Sequence, residues 1–181
     1  MLLLAGWLVA GPRRAHAQAS PSKEYQIKAA CLLNFARFIQ WPAAAFAEPA
    51  APVVVGVLGD DPFGDALEQT FRDESVEGRP FVIKRSRQVE ELRNCHMLFV
   101  SRSEKDRVPG ILAALSTARI ATVSEIDGFA SRGGILNFYV ESGKIRFEIN
   151  ADAAGHNGLT ISSQLLKRAK IVASGAGRGG R

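Results

Sequence analysis

Val53-Val54-Val55-Gly56-Val57-Leu58, running into Gly59-Asp60-Asp61-Pro62, is the stretch that decides how this chain folds. Six consecutive residues carry no polar side chain, and the run is too short for a buried helix. Such a run is expected of a strand covered on both faces, the usual condition of strands in parallel sheets. Gly59 to Pro62 then forms the turn at its carboxyl end. Asp61 before Pro62 starts a helix, expected over Phe63 to Arg72.

Moving toward the carboxyl terminus, the same alternation returns. A turn at Glu77-Gly78-Arg79 leads to a strand over Pro80 to Lys84, and Ser86 caps a short helix over Val89 to Arg93. His96 to Ser101 is a second apolar run, followed by a helix over Pro109 to Thr117 and a strand over Ile120 to Ser124. Strand and helix alternate four times. That predicts an α/β fold with a mostly parallel central sheet and helices on both faces. Toward the amino terminus, the spacing predicts a helix over Pro21 to Gln40, with Ser20 as cap and Pro21 at the first helical position. Tyr25, Ala29, Leu32, Ala36 and Ile39 recur at intervals of three and four and form its buried stripe, while Lys28, Asn34 and Arg37 fall largely off it. Trp41-Pro42 ends that helix, because the residue before proline is pushed out of the α region. Ala43 to Pro52 reads as a loop.

The chain changes style after Ser124. Ile135 to Glu141 and Lys144 to Asn150 both alternate apolar and polar, and the two-residue turn Ser142-Gly143 joins them as a hairpin. That turn fixes the register. Val140 falls opposite Ile145, Phe138 opposite Phe147, and Leu136 opposite Ile149. On the other face Glu141 meets Lys144 and Tyr139 meets Arg146. A slip of one residue would put every apolar side chain on the wrong face. A final helix is expected over Ser162 to Val172, with Leu165, Leu166, Ala169 and Val172 as its buried side.

The ends of the chain carry different signals. Met1 to Gly11 is apolar, Arg13 and Arg14 follow, and Ala15-His16-Ala17 has the small-x-small pattern of a signal peptidase site. Residues 1–17 are therefore expected to be an export signal, 18–174 one domain, and 175–181 a disordered tail rich in Gly and Arg. The apolar run falls short of the roughly 20 residues that span a bilayer. The formal charge of +5 suggests a nucleic-acid partner. Yet Arg13 and Arg14 leave with the signal, and Arg178 and Arg181 sit in the tail. The domain itself keeps +1, and no basic patch with interleaved aromatics lies within it.

Few residues have the arrangement that chemistry requires. Asp60 and Asp61 stand at the carboxyl end of the first strand and Ser101 at that of a later one, where doubly wound sheets bind ligands. Asp61 before Pro62 also reads simply as a helix cap. His96 opens an apolar strand and reads as structural; His156 reads as part of an exposed loop. Nothing has metal-ligand spacing, a Gly-x-Ser-x-Gly elbow or a phosphate-binding Gly loop, so neither catalysis, metal nor cofactor is expected. Cys31 and Cys95 are the two cysteines. Export favours a disulfide between them, worth about 4 kcal/mol in the chain-entropy model, and two buried thiols are the alternative. The hairpin's polar face gathers Asn137, Tyr139, Arg146, Glu148 and Asn150. It is either an ordinary solvated face or a surface for a protein partner, since Tyr and Arg are enriched at interfaces.

The order of several segments resembles one family. Glu24 to Pro42 (EYQIKAACLLNFARFIQWP) is similar to the first helix of the YfiR-like periplasmic regulators. Val57 to Gly64 (VLGDDPFG), Leu92 to Ser101 (LRNCHMLFVS) and Gly128 to Gly134 (GFASRGG) follow in that family's order. So do Arg146 to Asn150 (RFEIN) and Gly158 to Leu166 (GLTISSQLL). The resemblance implies a periplasmic repressor that binds the periplasmic sensor part of an inner-membrane diguanylate cyclase and so controls cyclic-di-GMP and biofilm formation. It also implies an outer-membrane lipoprotein as a second partner; a further copy of the chain is a third candidate. Asn137, Tyr139, Arg146 and Glu148 are then the candidate partner contacts. The rival reading is a periplasmic small-ligand sensor with its site at Asp60, Asp61 and Ser101. Many members carry a Cys near Gly56 besides the one matching Cys95. Here the strand reads Val55-Gly56-Val57, so that disulfide does not carry over.

Overall fold

The computed structural model describes residues 22–175. The expected export signal, the Ser20-Pro21 helix start and the tail beyond Gly175 lie outside the described residues. The elements in order are α1 (Lys23–Phe38), β1 (Ile39–Gln40), β2 (Val53–Leu58), α2 (Ala66–Phe71), β3 (Ser75–Val76), β4 (Arg79–Ser86), β5 (Met97–Val100), α3 (Val108–Leu115), β6 (Ala121–Ser124), β7 (Leu136–Glu141), β8 (Lys144–Ile149), α4 (Ala151–His156), β9 (Thr160–Ile161), α5 (Ser163–Leu166) and β10 (Lys170–Ile171).

Eight strands form one sheet in the order β10-β8-β7-β6-β5-β2-β4-β3. Its centre, β4-β2-β5-β6-β7, is parallel throughout. Counted by chain order these five strands run 2-1-3-4-5, the flavodoxin-like doubly wound order. The expected mostly parallel sheet is therefore the one observed, with β8 and β3 as antiparallel additions. Alternation along the strands divides the core. Val55, Val57, Met97, Phe99, Ala121 and Val123 face α1 and α2. Leu58, Leu98 and Val100 face α3 and the turn at Val89–Leu92 on the other side. Both clusters are buried, which is why these strands show no polar alternation in sequence.

The hairpin has the expected register, pair for pair, from Leu136 opposite Ile149 to Glu141 opposite Lys144. Ser142 and Gly143 both take positive φ, 49° and 71°, the pairing a tight two-residue turn needs. Phe35 of α1 packs on the hairpin's apolar face, 4.9 Å from Phe147 and 5.5 Å from Phe138 between ring centroids. Leu32 and Phe35 are fully buried, each contributing about 2–3 kcal/mol by area.

Four expectations need correction. The final helix does not reach Val172. It stops at Leu166, and Lys170–Ile171 pairs in parallel with Glu148 and Ile149 of β8. The open edge of β8 offers main-chain hydrogen bonds, among them Ile149 O accepting from Val172 N, that outweigh the local helical spacing. Helix α1 starts at Lys23, and its last two expected residues pair instead with β9 as a separate two-stranded ribbon. His156 closes the short helix α4 rather than lying in a loop. Lys28, expected largely off the buried stripe, is 2% exposed.

Candidate functional site

Lys28 is held in the core by a partner distant in sequence. Its ammonium donates to a carboxylate oxygen of Glu125, which follows β6, and to Glu24 one turn earlier on α1. Glu125 also accepts from the Tyr25 hydroxyl at 2.8 Å, and the Arg102 guanidinium lies 3.2 Å away. The Lys28 ammonium sits 4.7 Å from the Tyr25 ring centroid. A buried charge pair is tolerated only when its remaining hydrogen-bonding capacity is satisfied, and these neighbours do that. The Lys28 hydrogen bond holds the Glu24 carboxyl below its usual range. Burial, reinforced by the hydrogen bond to Glu125, pushes Tyr25 up to about 12.

This network sits at the carboxyl ends of β5 and β6, behind the hairpin. Two cavities meet there, of about 280 and 260 Å3, sharing Arg102, Glu125 and Asp127. Tyr139 and Val140 wall the second. A wider groove of about 560 Å3 runs between the first turns of α1 and the hairpin tip, lined by Lys23, Ile27, Val140, Lys144 and Ile145. Ile27 is 44% exposed and Val140 61%, so large apolar side chains face solvent on both walls.

The hairpin's polar face divides in two. Its far half is structural. Asn137 is buried, accepting from Phe129 N and donating to the Ser124 and Phe138 carbonyls. Asn150 is buried as the N-cap of α4, accepting from Ala153 N and donating to Ala130 O and Ser174 Oγ. Neither is open to a partner in this conformation. The near half is accessible. Arg146 is exposed, 3.8 Å from Glu141. Lys170 donates to Glu148 at 2.8 Å, which raises its own pKa, and its ammonium lies 5.6 Å from the Tyr139 ring centroid.

Asp60, Asp61 and Ser101 come to the carboxyl ends of β2 and β5, where the strand order reverses, but the two aspartates are already engaged. Asp61 accepts from Phe63 N at 2.7 Å, capping the turn into α2, and from Arg85 at 2.6 Å. Asp60 pairs with Arg87 at the surface. Ser101 is buried. Ser103 closes the crevice by accepting from Asp60 N at 3.0 Å. A Cβ at Gly59 would lie 2.3 Å from Ser103 Oγ, so only glycine lets that segment approach.

Both cysteines are free thiols. Cys31 packs against the cluster on the α1 side of the sheet and Cys95 belongs to the cluster on the α3 side, so the sheet stands between them. A Cβ at Gly56 would lie 2.8 Å from Cys95 Sγ. Among the described residues, no group of three or more His, Cys, Asp or Glu has the arrangement of a metal site.

The YfiR/HmsC-like family profile matches residues 25–170, from the first turn of α1 to the first residue of β10. The chain belongs to the YfiR/HmsC-like family. The family is periplasmic, regulatory rather than catalytic, and acts in diguanylate cyclase signalling. In this YfiR/HmsC-like chain no helix among the described residues is long and apolar enough to cross a membrane. No curated protein matches it. Similar solved structures include a conserved domain protein from Vibrio cholerae O1 biovar El Tor strain N16961, with TM-score 0.49 and 15% identity over 66% of this chain and 54% of that one. Another is the ABC domain in complex with L-Trp from Streptococcus pneumonia, with TM-score 0.48 and 12% identity over 66% and 55%. The chain spans about half the length of these solved chains.

Proposed function

We propose that this chain, exported by way of residues 1–17, restrains an inner-membrane diguanylate cyclase by binding its periplasmic sensor part. Release of the restraint raises cyclic-di-GMP and promotes biofilm formation, and an outer-membrane lipoprotein that sequesters the regulator would cause the release. The observation that carries the reading is the exposed groove between α1 and the hairpin tip. Ile27 and Val140 offer apolar contact on its walls, and Tyr139, Arg146 and Glu148, with Lys170 beside them, lie on the hairpin's opposite face. Binding alone does not restrain an enzyme. The contact must favour one conformation of the sensor part. Moving a target from 99% to 1% active takes about 10⁴-fold preference.

The test measures binding of the exported domain to the cyclase's sensor part by calorimetry, with cellular cyclic-di-GMP as the second readout. Val140→Asp and Arg146→Glu are each expected to weaken binding at least about tenfold, some 1.4 kcal/mol, and to raise cyclic-di-GMP without changing the unfolding midpoint. Unchanged binding in both variants removes the hairpin tip from the contact.

One observation favours a second reading, a small-ligand sensor. The two cavities meeting at Arg102, Glu125 and Asp127 lie at the carboxyl ends of the strands, beside rather than at Asp60, Asp61 and Ser101. A thermal-shift screen of small polar metabolites, with Arg102→Ala as control, tests it. A hit lost in that variant supports this reading, and the absence of hits removes it.

A further inference from the structure

The opposite end of the sheet holds a second arrangement that the proposed contact does not use. The segment 41–52 crosses the amino ends of β2 and β5, and His96 fastens it there. Its Nδ1 accepts from the main-chain N–H of Val54 at 3.0 Å. Its Nε2 lies 3.1 Å from the carbonyl of Ala45, within the segment. A carbonyl only accepts, and a main-chain N–H only donates. The ring is therefore neutral, with its proton on Nε2 and the lone pair on Nδ1. The His96 carbonyl also accepts from the Trp41 indole at 2.9 Å.

Aromatic contacts pack the ring against the segment. Phe46 stacks on the His96 ring with centroids 4.3 Å apart, and the Arg79 guanidinium covers Phe46 at 3.8 Å. Arg79 also donates to the Ala51 carbonyl at 2.8 Å. Beneath the segment lies a cavity of about 420 Å3, walled in part by Pro52, Val54, Cys95 and His96.

We propose that His96 is an acid-sensitive latch. Its neutral ring bridges the Ala45 carbonyl of the 41–52 segment to the Val54 N–H of β2. A proton on Nδ1 breaks the Val54 side of that bridge, so that the ring and the segment held on its Nε2–H swing away from the sheet together. That proton would point at the Val54 N–H, replacing an acceptor with a donor. Beyond the Ala45 carbonyl and the Phe46 ring face, the surroundings offer the new cation little compensation. Arg79 lies beyond Phe46, Arg93 and Arg119 line the same cavity, and Cys95 adjoins in the chain. Glu48 is the single carboxylate in the segment, and its carbonyl accepts from Arg79. Burial is the main cause holding the ring's pKa below its usual 6.5; Arg79 adds to it and the Ala45 carbonyl opposes it. The sign follows. The unfolded or opened segment binds the proton first, so the latch is at full strength above pH 6.5 and weakens as pH falls toward the ring's own midpoint.

The experiment uses the exported chain and two NMR readouts across pH 8 to 4.5. Ring nitrogen shifts report the tautomer and protonation of His96. Amide exchange, expressed as a protection factor to remove the intrinsic pH dependence, reports opening at Val54 and Phe46. The expected result is the Nε2–H tautomer at pH 8, and protection at both amides falling by up to about tenfold per pH unit between 6.5 and the ring's midpoint. Val57, deep in β2, should keep its protection. His96→Gln should show no such pH dependence. The proposal is overturned by any of three results. The ring titrates without loss of protection at Val54, it stays neutral until the whole chain unfolds, or the same profile persists in His96→Gln. The first two are read on the unsubstituted chain, so a misfolded variant does not remove the test.

Discussion

Replacing Lys28 with Met removes a cation that is 2% exposed and leaves the Glu125 carboxylate, 3% exposed at its side chain, without its buried partner. Tyr25 still donates to that carboxylate, and Arg102 still lies 3.2 Å from it. Arg102 is 68% exposed, however, so what remains is a solvated cation facing a buried anion. Breaking a buried pair from one side costs 3–5 kcal/mol, and with two partners left the cost should be about 3 kcal/mol. Glu125→Gln is expected to cost a similar amount, because Lys28 then keeps only Glu24, which is 46% exposed. The double variant removes both charges. It should therefore be about 2 kcal/mol less destabilised than the sum of the two singles. Urea unfolding at pH 7, followed through Trp41, measures all four proteins. With a slope of about 2 kcal/mol per molar, each single variant should shift the midpoint down by about 1.5 M. Single losses below about 1 kcal/mol, or a double variant that merely adds the two, would refute the claim that this pair acts as a buried unit.

The other expected outcomes concern single groups. Tyrosinate absorbance should show Tyr25 ionising at about 12, with Tyr25→Phe removing that phase; the protonated ring is favoured by the fold, so its contribution is complete below pH 10 and lost as pH rises through about 12. Alkylation in denaturant without reductant should label both Cys31 and Cys95, and native labelling should be slow because burial raises both thiols, Cys95 to about 11. An unlabelled pair would contradict the free-thiol structure. Gly56→Cys should oxidise to a disulfide with Cys95, since a Cβ there reaches 2.8 Å from its sulfur once Leu98 gives way. Three free thiols after oxidation would rule that geometry out.

What the sequence made legible depended on how local the deciding contact was. The hairpin register followed from a two-residue turn and an alternation that agreed with it, and every pair was found where expected. The strand Val53–Leu58 matched because an apolar run has one cheap solution in a parallel sheet. Failures came where a distant partner overrode a local pattern. The 162–172 spacing is helical, yet residues 170 and 171 complete the edge of β8. Lys28 stands three residues after Tyr25 and four before Leu32, so its place on the stripe was available from spacing. A lone lysine on a helix is expected at the surface, and the partner that makes its burial tolerable is 97 positions later. Asn137 and Asn150 alternate correctly onto the polar face. Alternation names the face, though, and says nothing of the 126–134 loop and α4 that cover its far half.

Helix α1 connects the two ends of the molecule. Its 16 residues span about 24 Å. Near its start, Tyr25 and Lys28 bind Glu125 at the carboxyl ends of the strands, and Ile27 walls the proposed partner groove. At its last residue Phe38 O accepts from Ser162 N, and just past its end the Trp41 indole donates to the His96 carbonyl at the amino ends. Position alone does not make these two sites communicate, since coupling is a difference in free energy. If the proton on His96 changes the affinity of the groove for its partner, linkage makes the effect reciprocal. Partner binding must then shift the His96 midpoint by the same factor. A tenfold weakening of the complex by protonation corresponds to a midpoint about one pH unit lower in the bound protein than in the free one. Ring-nitrogen titration of His96 in the complex measures that shift. An identical midpoint in both would leave the latch and the groove as two independent devices on one helix.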